Sequence, residues 1–377
     1  MAVRKSASPL QLRLRKFRRL KRGYYSFVIL TGLYVLSFFL PFLMSERALV
    51  VRYQGRYFFP STRSYLHETF GYHAFRVRLG PIDKKFEFFR DNVYPPDTFG
   101  QSSIAVRTDY RLLQEQYAAA ESEHYALMPP IPYHPNEQFL ALAGNPPHPP
   151  SSAHWLGTDD RGRDVLVRLA YGFRISISFA LLVTVIAYAF GTLAGATLGY
   201  YGRWVDLLGL RFVEIWGAIP FLYTVIILAA MFQPSFILLV LILAAFGWLG
   251  ITYYIRGEFY REKSKDYVAA AIATGEGNAS IIIRHILPNA LTPIIAFAPF
   301  AIVAEILTLV ALDFLGFGLP APTPSWGEMI GQGKEHIRDW HLVVFPLLAM
   351  FVTLQLIVFI GEAVREAFDP KVFSRLR

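Results

Sequence analysis

Long runs without a charged residue divide this chain of 377 residues. Residues 175–202 form an uncharged run of 28, and residues 215–255 form one of 41. Since about 20 apolar residues cross a bilayer as a helix, the first run provides one span and the second provides two, with a break at Gln233-Pro234-Ser235. Three more apolar stretches bring the predicted total to six spans: Tyr24–Met44, Asn289–Leu312 and Trp340–Gly361.

The composition agrees with a membrane protein and excludes several kinds of chemistry. Charged residues make up 17% of the chain, below the roughly 25% of soluble domains. The absence of cysteine excludes thiolate catalysis, Fe–S clusters and Cys-ligated zinc. A phosphate-binding P-loop is also excluded, because the nearest approach, Gly333-Lys334, has Glu328 in place of the first glycine and Glu335 in place of Ser or Thr. We therefore predict no catalytic residue, no metal site and no cofactor in this chain.

The net charge of +9 is concentrated at the N-terminus. Residues 1–23 hold nine basic residues and no acid. We interpret this tail as a topology signal that also attracts anionic lipid, each basic side chain adding about 1 kcal/mol near the surface. A nucleic-acid arm is disfavoured because no folded basic module follows. The next 21 apolar residues exceed the core of a signal peptide, and Ser45-Glu46-Arg47 offers no cleavage site, so we expect a retained helix.

The distribution of Lys and Arg predicts the orientation in the membrane. With the N-terminus inside, the inside segments carry 20 basic residues and the two short outside loops carry two. This satisfies the positive-inside rule, which long outside segments do not obey. The predicted organisation is a basic cytoplasmic tail (1–23), a first helix (24–44), a periplasmic segment (45–172), a five-helix core (173–363) with an inside loop (256–288), and a cytoplasmic C-terminal tail (364–377).

The periplasmic segment is too long for a simple loop. Val50–Phe59 is strand-like, whereas Met128–Pro135 and Asn145–Pro150 are Pro-rich and extended. We expect a small irregular domain that either docks an external partner or only caps the helices.

Two features lie inside the predicted spans. Gly191, Gly195 and Gly199 recur every four residues, which is a small-residue stripe that lets another helix approach closely. Glu305 is the one acid deep in a span. Such acids usually face a bundle interior or a water path, so Glu305 lines a substrate pathway or makes a structural hydrogen bond.

The loop 256–288 is the longest inside loop and contains signals for a short helix. Asp266 is placed to cap it, three alanines at 269–271 give a thin helix-favouring surface, and Gly275 supplies a left-handed stop. Pro288 suits the start of the next membrane helix. The loop therefore either docks a groove in another protein or serves as a plain linker.

The same loop carries a resemblance to a known family. The loop reads Ala270-Ala271-x-x-x-Gly275, then nine residues, then His285-Ile286-Leu287-Pro288. This pattern resembles the EAA loop of permeases in binding-protein-dependent ABC importers. The sequence departs from that motif at Ala269, where the family has Glu, and at His285, where it often has Ile. Arg284–Ala290 resembles the oligopeptide and dipeptide branch. Two further stretches also resemble this branch: His154–Leu166, and Leu312–Pro320 with Pro324–Glu328.

The resemblance implies a non-catalytic permease subunit with the six-helix type I ABC importer fold and an enlarged periplasmic segment, in the bacterial inner membrane with both termini cytoplasmic. The implied partners are a second permease subunit, two cytosolic ABC ATPase domains or a fused tandem ATPase that bind ATP and Mg, and a periplasmic substrate-binding protein. The segment 45–172 is most similar to permeases of microcin C and oligopeptide uptake systems, which implies transport of peptides or peptide-like compounds.

The implied ATPase-coupling residues are Asp266, Ala269, Ala270, Ala271, Gly275, Arg284, His285, Leu287 and Pro288. The candidates for a substrate pathway or outer gate are Glu305, Asp313, Asp159, Asp160, Arg161 and Asp164. The last five could instead contact the binding protein, and capping and local ion pairing is the alternative for them.

Other functions stay open at this point. A permease of the same branch could carry dipeptides or nickel-type substrates. An ATP-independent carrier or channel is a different class, but a carrier should show inverted repeats and broken half-helices, and the sequence has neither. An exporter usually carries or directly precedes an ATPase domain, which is absent from these 377 residues.

Overall fold

The structure is a computed structural model that describes residues 9–62, 108–119, 123–232 and 234–368. Much of the predicted periplasmic segment, the ends of both predicted tails and Gln233 of the predicted break lie outside these residues. The chain forms two compact units, which we describe separately. The helical unit comprises Met1–Leu33, Phe173–Lys334 and Val343–Arg377, and the loop-rich unit comprises Tyr34–Gly172 and Glu335–Leu342.

The described residues form mainly helices, in agreement with the predicted all-α membrane class. The N-terminal part contains α1 (Pro9–Arg19), α2 (Lys21–Ser37), α3 (Leu40–Leu43), β1 (Val50–Tyr53), β2 (Arg56–Phe58), α4 (Tyr110–Ala119) and β3 (Tyr125–Leu127). The remainder contains α5 (Val165–Tyr201), α6 (Arg203–Gly217), α7 (Phe221–Met231), α8 (Phe236–Lys263), α9 (Asp266–Ala273), α10 (Asn278–Ser280), a π-helix (Ile281–Ile286), α11 (Leu287–Ala290), α12 (Thr292–Phe314), α13 (Trp326–Glu335) and α14 (His341–Phe368).

Four helices, α5, α8, α12 and α14, are long and apolar enough to cross a membrane. The pair α6 and α7 counts as a fifth span if its two helices form one, although they are bent by 68°. Pro220 stands immediately before α7, and proline at such a position breaks the helical hydrogen-bond ladder. The 11 residues of α7 cover only about 16 Å. The predicted third span is therefore built differently from a single straight helix, and six spans stay a prediction.

The first apolar helix ends earlier than predicted. Tyr24–Met44 was expected as one helix, but α2 ends at Ser37 and α3 begins at Leu40. Pro41 occupies the first turn of α3. A proline has no N–H to bond the carbonyl four residues back, which here is that of Ser37, and its ring clashes with that carbonyl, so α2 cannot continue through it. With 17 residues, α2 is slightly shorter than a typical membrane helix.

The three predicted packing glycines lie against α8 within the helical unit. A Cβ at Gly191 would lie 2.5 Å from the carbonyl oxygen of Trp248, and one at Gly195 would lie 2.6 Å from that of Thr252. A Cβ at Gly199 would lie 2.5 Å from the Cβ of Phe259. Real side chains do not approach so closely, so α5 and α8 can be this near only with glycine at these positions.

The loop-rich unit contains a three-stranded antiparallel sheet in the order β2-β1-β3. The turn between β1 and β2 uses Gln54 and Gly55, both with positive φ, which is the geometry of a tight hairpin. Val51 and Phe58 on the sheet and Leu113 on α4 are buried in one apolar cluster. The structure therefore confirms strands within Val50–Phe59, where β1 and β2 form a hairpin.

Candidate coupling site

The short helix α9 is fastened to the end of α8 through a buried glutamate. Glu262 is 2% exposed and accepts a hydrogen bond from Lys265 Nζ at 2.7 Å and one from the Tyr267 hydroxyl at 2.8 Å. Val268 and Ala271 add an apolar contact, because both are buried in a cluster with Ile281. Polar and apolar contacts together hold α9 at the end of α8.

The opposite face of α9 is exposed and has little side-chain bulk. Ala269, Ala270 and Ala273 are exposed, and Ile272 is 53% exposed. Small side chains allow another surface to approach the helix backbone, and the isoleucine supplies an apolar anchor. Of the three predicted alanines, Ala269 and Ala270 lie on this face, whereas Ala271 packs inward.

The prediction that Asp266 caps this helix is wrong. The capping position is Lys265, whose side chain makes no capping hydrogen bond, and Asp266 is the first helical residue. The bonds that Lys265 and Tyr267 make to Glu262 fix where α9 starts, so the helix begins one residue before the place that residue preference favours. The carboxylate of Asp266 still lies in the first turn, where negative charge is favourable.

Gly275 ends α9 in the predicted left-handed conformation, with φ of +80°. Its N–H donates to the Ile272 carbonyl at 3.0 Å, and the N–H of Glu276 donates to the Ala271 carbonyl at 3.1 Å. This pair of bonds is a Schellman motif, which satisfies the last carbonyls of the helix. No atom lies within 4 Å of a Cβ built on Gly275, so the requirement for glycine comes from the backbone conformation.

Glu276 organises the segment after α9. Its Oε2 accepts a hydrogen bond from the Ser280 hydroxyl at 2.8 Å and lies 2.9 Å from His285 Nε2. The bond from Ser280, together with that from His285, lowers the pKa of Glu276. His285, an implied coupling residue, lies against Glu276, while Arg284 is exposed.

A π-helix and a short α-helix lead from this segment into α12. The π-helix buries Ile281 and Ile286, and π-turns are frequent at functional sites. Pro288 lies in the first turn of α11, where its missing N–H is harmless. Leu291 separates α11 from α12. Pro288 therefore lies in a short helix just before the membrane helix, and not at the start of the membrane helix as predicted. Leu287 is half-buried.

Polar contacts that the sequence did not reveal connect this loop with α5 and α6. The Tyr200 hydroxyl donates to Asn278 Oδ1 at 2.8 Å, and the Tyr200 carbonyl accepts from Lys263. On α6, Asp206 is paired with Arg256, whose Nη2 lies 2.6 Å from Oδ2. The Tyr260 hydroxyl donates to the same Oδ2 at 2.6 Å. The corner between α5 and α6 is therefore tied to α8 and to the loop.

Asp313, a candidate for the outer gate, shapes the turn after α12. Its Oδ1 accepts from the Leu319 N–H at 2.6 Å, and its Oδ2 accepts from the Ser325 hydroxyl. Ser325 Oγ in turn accepts from the Glu328 N–H at 3.2 Å. A Cβ at Gly318 would overlap the carboxylate. These contacts support the local structural alternative, and the gate role stays a prediction.

The acidic candidates of the loop-rich unit are largely buried in an ion-pair cluster. Asp159, 0% exposed, pairs with Arg163 at 2.6 Å and lies 3.4 Å from Arg168. Asp164 accepts from the Val167 N–H at 2.9 Å and lies 2.8 Å from His154.

Asp159 and Asp164 are buried, so neither carboxylate lies at the surface of this structure. Asp160 is partly exposed at 4.0 Å from Arg163, and Arg161 is exposed. Asp159 and Asp164 make the contacts expected from the local ion-pairing alternative. A role of the four residues in an outer gate or in contacts with a binding protein stays a prediction.

Glu305 lies on α12 beside α8. Its Oε1 would be 3.3 Å from a Cβ at Gly247. Over the described part of the chain, we find no group of three His, Asp or Glu side chains that could hold a metal ion.

Comparison with known proteins reveals both a family and full-length relatives. Residues 169–374 match the family described as "Binding-protein-dependent transport system inner membrane component". The chain is 39% identical to the inner membrane ABC transporter permease protein YejE of Escherichia coli (strain K12) over 96% of both chains. It is 37% identical to the peptidoglycan transport system permease protein YejE of Agrobacterium fabrum over 95% of this chain and 92% of that one.

Similarity to other permeases covers less of the chain. The oligopeptide transport system permease protein OppC of Haemophilus influenzae is 38% identical over 58% of this chain and 70% of its own length. A chain of the MetNI methionine ABC transporter, solved in inward-facing conformations, has a TM-score of 0.46 and 15% identity over 54% of this chain and 97% of that chain.

Proposed function

Because this chain belongs to the family of binding-protein-dependent transport system inner membrane components, we propose that it carries peptides or peptide-like compounds, including compounds of the microcin C type, from periplasm to cytoplasm. Family membership makes it a multi-pass permease subunit of an ABC transporter and not the subunit that hydrolyses ATP. We also propose that both termini lie in the cytoplasm and that the chain works together with partner subunits.

The observation that carries the substrate class is the extent of the similarity. The family match begins at residue 169, yet the two YejE relatives align over 95% or more of this chain. They therefore share the N-terminal segment as well as the permease core. The OppC relative aligns over little more than half. One of the full-length relatives is named for peptidoglycan transport, and peptidoglycan contains peptides. Dipeptide and nickel-type substrates of the same branch are the alternative.

The exposed face of α9 supports docking of a cytosolic ATPase. The helix presents small side chains outward while Glu262, Val268 and Ala271 hold its inner side. A rigidly mounted helix transmits a push from a partner into α8 instead of bending away from it. A second permease, two ATPase domains bearing ATP and Mg, and a binding protein complete the proposed transporter, in which alternating access follows from contacts that differ between two states.

The experiment is co-purification followed by uptake. We would tag this chain, express it with its chromosomal neighbours, and compare wild type with Gly275→Arg, using Gly277→Arg as the matched control. Gly277 has an ordinary φ of −72°, and both glycines face open space. We expect wild type to bring down a second permease and ATPases, Gly275→Arg to lose the ATPases, and Gly277→Arg to keep most of them.

Uptake of labelled tri-alanine by cells that contain the system, compared with a deletion strain, tests the substrate class. A chain that purifies alone as a homo-oligomer, with no effect of Gly275→Arg, would refute the importer proposal and favour a carrier or channel. Normal assembly without peptide uptake would refute only the substrate class.

A further inference from the structure

Glu305 is an acid in a membrane-spanning helix, and the part of the chain that the structure describes gives it no counter-charge. Across the described residues, no side chain hydrogen-bonds or ion-pairs with its carboxylate. The side chain is nevertheless only half-buried, so an incoming group can reach it. Intramembrane acids are costly and normally pair with something.

The residues of α8 and α5 that lie next to Glu305 are small. A Cβ at Gly247 on α8 would lie 3.3 Å from Glu305 Oε1 and 3.2 Å from the Cβ of Ala187 on α5. Both neighbours lack a polar side chain, so neither can satisfy the carboxylate. The glycine leaves room for the acid to lie flat against α8.

Aromatic residues of α5, α8 and α12 lie near Glu305 or farther along the contact between α8 and α12. Tyr188, on α5, lies near both Glu305 and Tyr254. The ring of Tyr254 lies 4.5 Å from that of Phe297, centroid to centroid. Phe297 and Glu305 are eight residues apart on α12, and Gly247 and Tyr254 are seven apart on α8, so each pair shares one helix face. We call Tyr188, Tyr254, Phe297 and Glu305 the Glu305 stripe.

This face cannot be directed at lipid. An acid at the centre of a helix exposed to hydrocarbon costs about 3 kcal/mol or more. The half-buried stripe, with Tyr254 52% exposed, therefore lines a water-filled path or faces a group that brings a positive charge.

The chemistry of the stripe selects the ligand. Carboxylates form charge-assisted bonds with ammonium and guanidinium groups, and aromatic faces attract the same cations. A lysyl or arginyl side chain also has an apolar stem, which can lie against the apolar surface beside the acid. A hard metal ion would need six or more oxygen ligands, and the described part of the chain supplies no such group here.

We propose that the Glu305 stripe is a binding site for a cationic side chain of the transported peptide, with the ammonium or guanidinium on Glu305 and the neighbouring part of the peptide along the rings. The inference rests on the proposed peptide transport. It makes this chain a determinant of selectivity, in addition to the binding protein.

The test compares uptake of Ala-Lys-Ala and Ala-Glu-Ala in cells whose chromosomal copy is replaced by a variant. The binding protein is unchanged, so a change in the uptake ratio reports on the permease. We expect Glu305→Gln to lower the ratio of Lys to Glu peptide by about tenfold, since a hydrogen bond to a charged group contributes that much or more. Glu305→Asp should retain most of the preference.

Thr308→Val is the matched control. Thr308 lies on the same helix one turn away, and its hydroxyl donates only to the Ala304 carbonyl of its own helix at 2.9 Å, so the ratio should stay at the wild-type value. An unchanged ratio in Glu305→Gln, or an equal loss of both peptides in a complex that still assembles, would overturn the inference. Wild-type cells that take up neither peptide better than the deletion strain would instead refute the proposed function.

Discussion

Gly275 shows how one backbone angle can limit substitution at an open surface. Its φ of +80° is strained for residues with a Cβ, by about 1–2 kcal/mol. Gly277, two residues later, also has open space around it but an ordinary φ of −72°. The two positions therefore differ in backbone conformation and not in crowding.

We predict that Gly275→Ala destabilises the end of α9 by about 1 kcal/mol, which corresponds to roughly fivefold faster amide exchange. Gly277→Ala should leave exchange in α9 unchanged. Hydrogen exchange of the purified chain, read over residues 266–276, measures both. Equal effects of the two substitutions would show that the left-handed turn is not the reason for glycine.

Glu276 makes the segment after α9 sensitive to acid. Hydrogen bonds from Ser280 and His285 lower the pKa of this carboxyl in the folded state. Its contribution to stability is therefore complete above the usual pKa of a glutamate and is lost as pH falls through the lowered folded value. We predict that amide protection of residues 276–286 declines on acidification in wild type. Glu276→Gln should show lower protection that is independent of pH over this window, and a parallel decline in both proteins would contradict the role of the carboxylate.

At the residue scale, sequence reasoning succeeded where the backbone itself dictates the residue. The stop at Gly275 follows from a conformation that other residues resist. Asp266 failed as a cap because the start of α9 is fixed by Glu262, whose contacts cannot be read from residue preferences. The pair Asp206–Arg256 was missed because its members are 50 residues apart in the sequence. No sequence pattern links two charged residues at that distance.

The contact between α5 and α8 depends on three glycines in successive turns. At Gly195, a Cβ would lie 2.6 Å from the Thr252 carbonyl oxygen and 2.9 Å from the Ile255 Cβ. Both obstacles are backbone or the root of a side chain, so a rotamer change cannot relieve the overlap. The two helices would have to separate.

We predict that Gly195→Ala destabilises the purified protein by about 1–3 kcal/mol, the usual cost of overpacking. Gly250→Ala is the control, because Gly250 is on α8 and has no atom within 4 Å of its Cβ position. Thermal inactivation in detergent, followed by monodispersity, gives the comparison. If Gly195→Ala is as stable as Gly250→Ala, the close approach of these helices is not needed for the fold.

At the scale of secondary-structure elements, the membrane-spanning helices could be predicted where a long apolar run marks them. The long helices α5, α8, α12 and α14 all coincide with predicted spans. The bend between α6 and α7 was not predicted, because an uncharged run indicates burial in membrane but not the direction of its axis. The π-helix was also missed, since no residue pattern distinguishes it from an ordinary helical turn.

At the scale of the whole molecule, the distribution of charge is the argument for orientation. Twenty of the 37 basic residues fall in segments predicted to be inside, and two fall in short outside loops. The reverse orientation would place those twenty in short segments outside, against the positive-inside rule. Labelling of single cysteines from one side of the membrane tests this orientation directly.

The chain contains no cysteine, so single-cysteine variants can be labelled without background. Ser151, Ala321 and Ser264 are exposed, the first two in segments predicted outside and the third in the loop predicted inside. We predict that a membrane-impermeant maleimide labels Ser151→Cys and Ala321→Cys in intact spheroplasts, whereas Ser264→Cys reacts only after the membrane is opened. Labelling of detergent-solubilised protein is the control for intrinsic reactivity. The opposite pattern would place the α9 surface outside, where no cytosolic ATPase can reach it, and would remove the basis for the proposed coupling.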